Sequence, residues 1–460
     1  MQTADGIGGR PRFLNHLMWH WGELLRLAWP VMLSRAGILV LTITDVIMVG
    51  RYDTTELSHI AMGYAVMVPV MVTGVGAMMG IIAVTAQHSG AGRSDKAAET
   101  FRHGLGWAVL IGTICAVLIA LAEPFLRLIG HVPELAAGGG LIARWLAPGA
   151  FLQILFVAAA FYLEATKRML PPLLFMAVAN LVNIALNWLL IGGEAGFPGL
   201  GAEGAAIASV IARAVMLGAI LIYIARLPEI RRLPSSGLWG PGGWAAGSRM
   251  RRIGLAAGVG MFFETMAFGT LNQIAGFISP EGLAAYTIGH QVEATIFMVA
   301  LGLSVATAVR VGHAFGAGDR AGARFAGWSG LAATMLIIAV LSSVVILNAD
   351  RLGGVFSADP AMIARTAPLF VILAISLIFD GGQVVMGQST RALGDSWGTT
   401  ACYFAGFWGV MIPLGAWLGL HSDWREAGLF IATAAGCLAT VSLLSLRFAW
   451  LLRGGRLQPA

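Results

Sequence analysis

Twelve long apolar runs constrain this chain more than any other feature. They lie at about 24–49, 60–83, 104–122, 143–163, 171–191, 204–225, 253–277, 284–308, 327–347, 366–389, 397–420 and 427–450. Each is long enough to cross a bilayer core as a helix, which takes about 20 residues. Only helices and closed barrels satisfy the backbone in lipid, and these runs lack the two-residue alternation of barrel strands. The expectation is an all-α integral membrane protein with twelve transmembrane helices. Composition agrees: 58% of residues are hydrophobic and only 11% charged, against roughly a quarter charged in soluble domains.

The charges orient the chain. A net charge of +6 suggests a nucleic-acid partner only until the charges are placed. Of 29 Lys and Arg residues, 19 fall at the two ends and in alternate loops, among them Arg93, Lys96, Lys167, Arg168, Arg231, Arg232, Arg251, Arg252, Arg310 and Arg391. Six fall in the other loops, and Arg26, Arg35, Arg213 and Arg447 lie within spans. Such a bias puts both termini in the cytoplasm and excludes nucleic acid. Residues 13–29 are expected to begin as an interfacial helix with Trp residues at the headgroups. Cys115, Cys402 and Cys437 are scattered through apolar runs and form neither a disulfide framework nor a zinc motif. P-loop, HExxH and GxSxG motifs are absent, so neither an ATPase engine nor a hydrolase is expected, and no cofactor. The glycines of the second run (Gly74, Gly76 and Gly80) follow no strand and read as helix packing.

Residues 227–252, rich in Pro, Gly, Ser and Arg, form the clearest break. They separate an N-terminal lobe (1–226) from a C-terminal lobe (253–460), each with six spans. At an offset of 226, Gly50 matches Gly276, Leu57 matches Leu283, Gly63 matches Gly289, and Gly90-Ala91-Gly92 matches Gly316-Ala317-Gly318. Six spans per repeat make the lobes parallel, related by a pseudo-two-fold axis along the membrane normal.

Inside this apolar frame, carboxylates are costly and mark function. Asp45, Glu264 and Asp380 each interrupt a run. At 1.5 Å per residue, Glu264 lies about 18 Å from Arg252 and Asp380 about 16 Å from Arg391, so both reach mid-bilayer at one depth. Asp45 lies deeper, about 28 Å from Arg26, level with Asn183 and Asn187, which share a helix face at i, i+4. Ser209 adds a hydroxyl on the sixth run, and Glu293 on the eighth is a further acid. These oxygen ligands suit a proton or Na⁺, with Glu264, Asp380 or Asp45 as the Na⁺ candidates. The plainer alternatives are ion pairs of the acids with Arg35 or Arg213 and helix–helix adhesion by the asparagines. Glu164, beside Lys167 and Arg168, reads as a surface residue. The acids ignore the repeat: Asp45 aligns with Leu271 and Glu264 with Ile38.

Several segments together resemble the multidrug and toxic compound extrusion family over nearly the whole chain: TDVIMVGR with ELSHIAMG, YLEATKR, LVNIALNWLLIGG, PGLGAEGAAIAS, GLAAYTIGHQVEATIFMVALGLSVATAVRVGHAFGAGD and FDGGQVVMGQSTRALGD. The Glu on the seventh helix resembles the NorM-like bacterial branch. The resemblance implies two six-helix lobes in a V and export of amphipathic cations in exchange for Na⁺ or H⁺. It assigns the family acids to Asp45, Glu264 and Asp380, and the paired asparagines to Asn183 and Asn187. Two positions depart from the family pattern: Arg391-Ala392 stands where the family has arginine-glycine, and Glu293 stands where it has a neutral residue. The expected setting is a monomer in the bacterial inner membrane, in contact with lipid and with small cationic or amphipathic molecules. The alternative within the superfamily is a flippase for lipid-linked or other amphipathic metabolites. Such a protein needs basic residues for phosphate, and the charge within these spans is mainly acidic.

Overall fold

The structure is a computed structural model that describes residues 9–196, 198–233, 239–240, 242–356 and 359–453, with side chains from residue 20 onward. Among these residues it is helical throughout, and twelve helices are long and apolar enough to cross a membrane. They are α1 (Gly9–Tyr52), α2 (Thr54–Gly90), α3 (Ser94–Ala120), α4 (Pro133–Ala165), α5 (Leu170–Ile191) and α6 (Gly201–Ala225). The second set comprises α7 (Ser248–Ile278), α8 (Pro280–Gly316), α9 (Arg320–Leu347), α10 (Pro360–Ala392), α11 (Trp397–His421) and α12 (Arg425–Arg453). Most helices exceed their apolar runs by several residues at the ends. The N-terminal segment from Gly9 is continuous with the first span as α1.

The internal repeat is written into the helix boundaries. α2 and α8 are both 37 residues long, and both their starts and their ends lie 226 positions apart. α4 and α10 are both 33 residues long. Each half places a short helix after its third span, Ala122–Leu128 and Ala349–Phe356. The N-caps of α2 and α8 correspond too. Asp53 accepts hydrogen bonds from the Thr55 and Glu56 backbones at 2.7 and 3.0 Å, and Ser279 accepts one from Gly282 at 2.9 Å. The Glu56 and Thr55 amides hold the Asp53 carboxyl below its ordinary range. Leu57 covers Gly50 as Leu283 covers Gly276. Gly92 and Gly318 end α2 and α8 in the left-handed region, at φ 73° and 80°.

Contacts between the halves obey the same symmetry. The C-terminal part of α2 packs on α7 and on the end of α8, and α1 packs on α8. A Cβ on Gly90 would run into the His313 backbone, and one on Gly316 into the Gln87 backbone. Gln87 and His313 are equivalent positions, so this is an isologous contact between repeats. Gly76 against Gly258 and Gly302 against Met32 form a second equivalent pair. Polar links reinforce this end: Gln87 Nε2 donates to the Ala392 carbonyl at 2.7 Å, and Arg249 donates to Gln87 Oε1 at 3.0 Å. Further along α2, toward its N-terminus, the halves part. Ala65 and Val72 face α7 and α8 across a cavity of about 580 Å³.

Three expectations are corrected. The 227–252 stretch, whose residues 234–238 and 241 lie outside the described part, is more than a spacer. α7 begins within it at Ser248, and the Trp239 carbonyl lies 2.5 Å from His103 Nδ1. Trp244 packs edge-on to Trp107 and under the Arg251 guanidinium, which is 3.6 Å from its ring centre. Arg251, Arg310 and Arg391, read as loop charges, are buried in helices. Arg391 sits 5.0 Å over the Tyr403 ring, and Arg310 contacts His20. Glu164 is not a surface residue. It is 1% exposed and takes both oxygens to Arg35 Nη2 at 2.9 Å. The cationic neighbours in sequence suggest a surface. The helix phase instead turns Glu164 inward, toward an arginine 129 residues away.

Candidate functional site

Polar side chains gather in two places, one in each half. In the first, Asp45 of α1 is fully buried. Its Oδ1 accepts from Asn183 Nδ2 at 3.0 Å and Asn187 Nδ2 at 2.7 Å, both on α5. Its Oδ2 accepts from the Tyr64 hydroxyl of α2 and the Ser209 hydroxyl of α6, each at 2.5 Å. Asn187 Nδ2 also reaches Asn183 Oδ1 at 3.2 Å. One carboxylate therefore ties together four helices through four donors, which is how a buried carboxylate is tolerated. Neither Arg35 nor Arg213 supplies an ion pair to Asp45.

In the second half, Gln383 of α10 spans two acids. Its Nε2 lies 3.1 Å from Glu264 Oε1 on α7 and 3.0 Å from Asp380 Oδ1, one turn earlier on α10. Cys437 of α12 approaches Asp380 Oδ1 at 3.8 Å. Arg391, two turns below Gln383, is within electrostatic reach of Glu264. Glu264 and Asp380 both line the cavity between the halves, and so does Glu293 of α8, whose Oε2 is 3.1 Å from His290 Nδ1. Met261, Phe268, Phe297 and Met298 make much of the remaining wall. A cavity of several hundred Å³, largely apolar with a few converging polar groups, is the usual form of a small-molecule site. Lys and Arg are absent from its lining.

The structure brings Asp45 together with Asn183, Asn187 and Ser209, and Glu264 together with Asp380. The two groups share no hydrogen bond. Residues that depth did not single out are Tyr64, Gln383 and His290. Two of these carry a readable signal: Gln383 is i+3 from Asp380 and His290 is i−3 from Glu293, so each shares a helix face with its acid. Tyr64 carries none, because its contact with Asp45 depends on how α1 and α2 pack. Among the described residues, no three His, Cys, Asp or Glu side chains converge closely enough to hold a metal ion.

Known proteins match this architecture. The MatE family model matches residues 30–189 and 256–417, one segment in each half. The probable multidrug resistance protein NorM of Caulobacter vibrioides is 35% identical over 432 residues, 93% of this chain and 90% of that protein. The multidrug resistance protein PmpM of Pseudomonas aeruginosa is 29% identical, over 93% of this chain and 91% of that protein. The crystal structure of the eukaryotic MATE transporter AtDTX14 superposes with a TM-score of 0.85 at 20% identity, covering 96% of this chain and 99% of that one. With half-by-half matching and relatives aligned along almost its full length, the chain belongs to the MatE family and is a multidrug efflux transporter, not an enzyme.

Proposed function

We propose that this transporter exports amphipathic organic cations in exchange for H⁺ or Na⁺, by alternating access between its two six-helix halves. The observation that carries the reading is the cavity between the halves, with Glu264 and Asp380 on one donor, apolar walls and no lysine or arginine in its lining. A cationic amphiphile supplies the charge that two neighbouring carboxylates in a low-dielectric cleft lack. The same acidic lining disfavours the flippase alternative, since a phosphorylated headgroup would meet carboxylates.

Asp45 supplies the coupling site. All four of its contacts are donors, so Na⁺ needs both amides to turn their oxygens inward, whereas a proton needs neither to move. Occupancy matters only if one state assembles these ligands and the other separates them. Four helices contribute, so a shift of α1 or α2 against α5 and α6 separates them. We place the protein in the inner membrane of a bacterium as a monomer surrounded by lipid, with both termini and the 227–252 segment in the cytoplasm. The bias in Lys and Arg supports that orientation even after the three buried arginines are set aside. On this orientation, the tight contact between halves faces the cytoplasm and the cavity faces outward.

Purified protein in liposomes, loaded with a fluorescent cation and given a pH or a Na⁺ gradient separately, tests the reading. Gradient-driven export is expected, and the Glu264→Gln/Asp380→Asn double variant should abolish it. Normal export by that double variant would sink the assignment.

A further inference from the structure

Glu293 is the acid that the two-site reading leaves unused. It sits one helix over from the Glu264–Asp380 pair, on α8, and lines the same cavity. It is 3% exposed, within electrostatic reach of Asp380, and only half satisfied. Its Oε2 faces His290 Nδ1 at 3.1 Å, while its Oε1 is buried with no hydrogen-bond partner. Glu164, by contrast, gives both of its oxygens to Arg35. Leaving a buried carboxylate oxygen unpaired carries a desolvation cost with no return, unless something else occupies that position.

His290 is built to position this group. Its ring is stacked on Phe268, with centroids 5.5 Å apart and planes 25° apart, and lies nearly parallel to Tyr286 at 6.2 Å. With the hydrogen on Nδ1, it donates to Oε2 and holds the carboxylate at the cavity wall. His290 needs no charge to do so.

We infer that Glu293, oriented by His290, is a second cation anchor in the cavity and selects amphipathic dications, one cationic nitrogen resting at Glu264–Asp380 and the other at Glu293. The inference rests on the proposed export of organic cations and specifies their class. The arithmetic of charge supports it. Three carboxylates surround one cavity without a lysine or arginine in its lining, and they do not converge on one ion-sized point. A monocation answers one of these charges; a dication answers a second and rests its aromatic body against Phe268 and Phe297.

A matched pair of dyes tests this. Ethidium and propidium share the phenanthridinium ring, but ethidium carries one quaternary nitrogen and propidium two. Dye affinity is read by fluorescence on purified protein in detergent, for the wild type, Glu293→Gln, Glu293→Asp, His290→Gln and Glu264→Gln. In Glu293→Gln, the propidium-to-ethidium affinity ratio should drop about thirtyfold or more, the loss expected on removing one partner of a buried charge contact. His290→Gln should drop it by less, and Glu293→Asp should recover part of it, which excludes misfolding as the cause. An equal loss for both dyes, or none for either, overturns the inference while leaving the cation reading intact. Wild-type protein that binds neither dye, with no change in Glu264→Gln, overturns that reading and the inference with it.

Discussion

The Tyr64 hydroxyl stands 2.5 Å from Asp45 Oδ2, joining α2, which packs against the other half, to the buried acid of α1. The bond links the polar cluster of the first half to a helix that forms the interface between halves. A hydrogen bond to a charged group contributes about 1.5–3 kcal/mol. Tyr64→Phe should therefore leave substrate binding close to wild type and lower gradient-driven export roughly tenfold or more, since every 1.4 kcal/mol is a factor of ten. Asp45→Asn should go further and export no faster with a gradient than without one. Liposome export with and without the gradient, beside dye binding in detergent, separates the two effects. If Asp45→Asn retains full gradient dependence, Asp45 is a packing residue.

Arg35 and Glu164 form the one fully buried ion pair among the described residues that joins α1 to α4. Removing one partner strands a buried charge at a cost of about 3–5 kcal/mol, whereas replacing both by apolar groups is often neutral. The melting temperature in detergent should accordingly fall steeply in Arg35→Ala and recover in Arg35→Leu/Glu164→Leu. If the double variant melts as low as the single one, the pair contributes more than charge compensation.

The crossing of Gly90 over His313 and of Gly316 over Gln87 leaves no room for a side chain. Gly316→Leu should wedge this end apart, at a cost of about 1–3 kcal/mol for overpacking. With the three native cysteines replaced, a cysteine at the buried Ala86 position should stay unreactive to a thiol reagent in the parent and become reactive in Gly316→Leu. Equal protection in both would mean that the contact relaxes without opening.

Orientation can be read at Ser248, where α7 begins. A cysteine introduced there should resist a membrane-impermeant thiol reagent in intact cells and react after permeabilisation. Rapid labelling of intact cells would reverse the assigned topology.

Twelve spans and the 226-residue repeat were legible in the chain itself. Apolar length, helical rise and local glycine positions are one-dimensional properties, and lipid permits only one way to satisfy the backbone of such runs. Depth also placed Asp45 level with Asn183 and Asn187, and Glu264 level with Asp380. Azimuth was not legible. Which way a side chain points around its helix, and which helix it then meets, depends on packing between segments far apart in the chain. That is why Glu164 beside Lys167 looked like surface and lies in the core, and why Arg391 looked like a loop cation and lies over Tyr403. For the same reason only the tertiary structure brought Tyr64 onto Asp45 and made Gln383 the shared donor of Glu264 and Asp380. It alone decided that the symmetric glycines close one end of the bundle while the acids face a cavity above them. The repeat dictates that the halves are alike; side-chain chemistry on non-equivalent positions makes them differ.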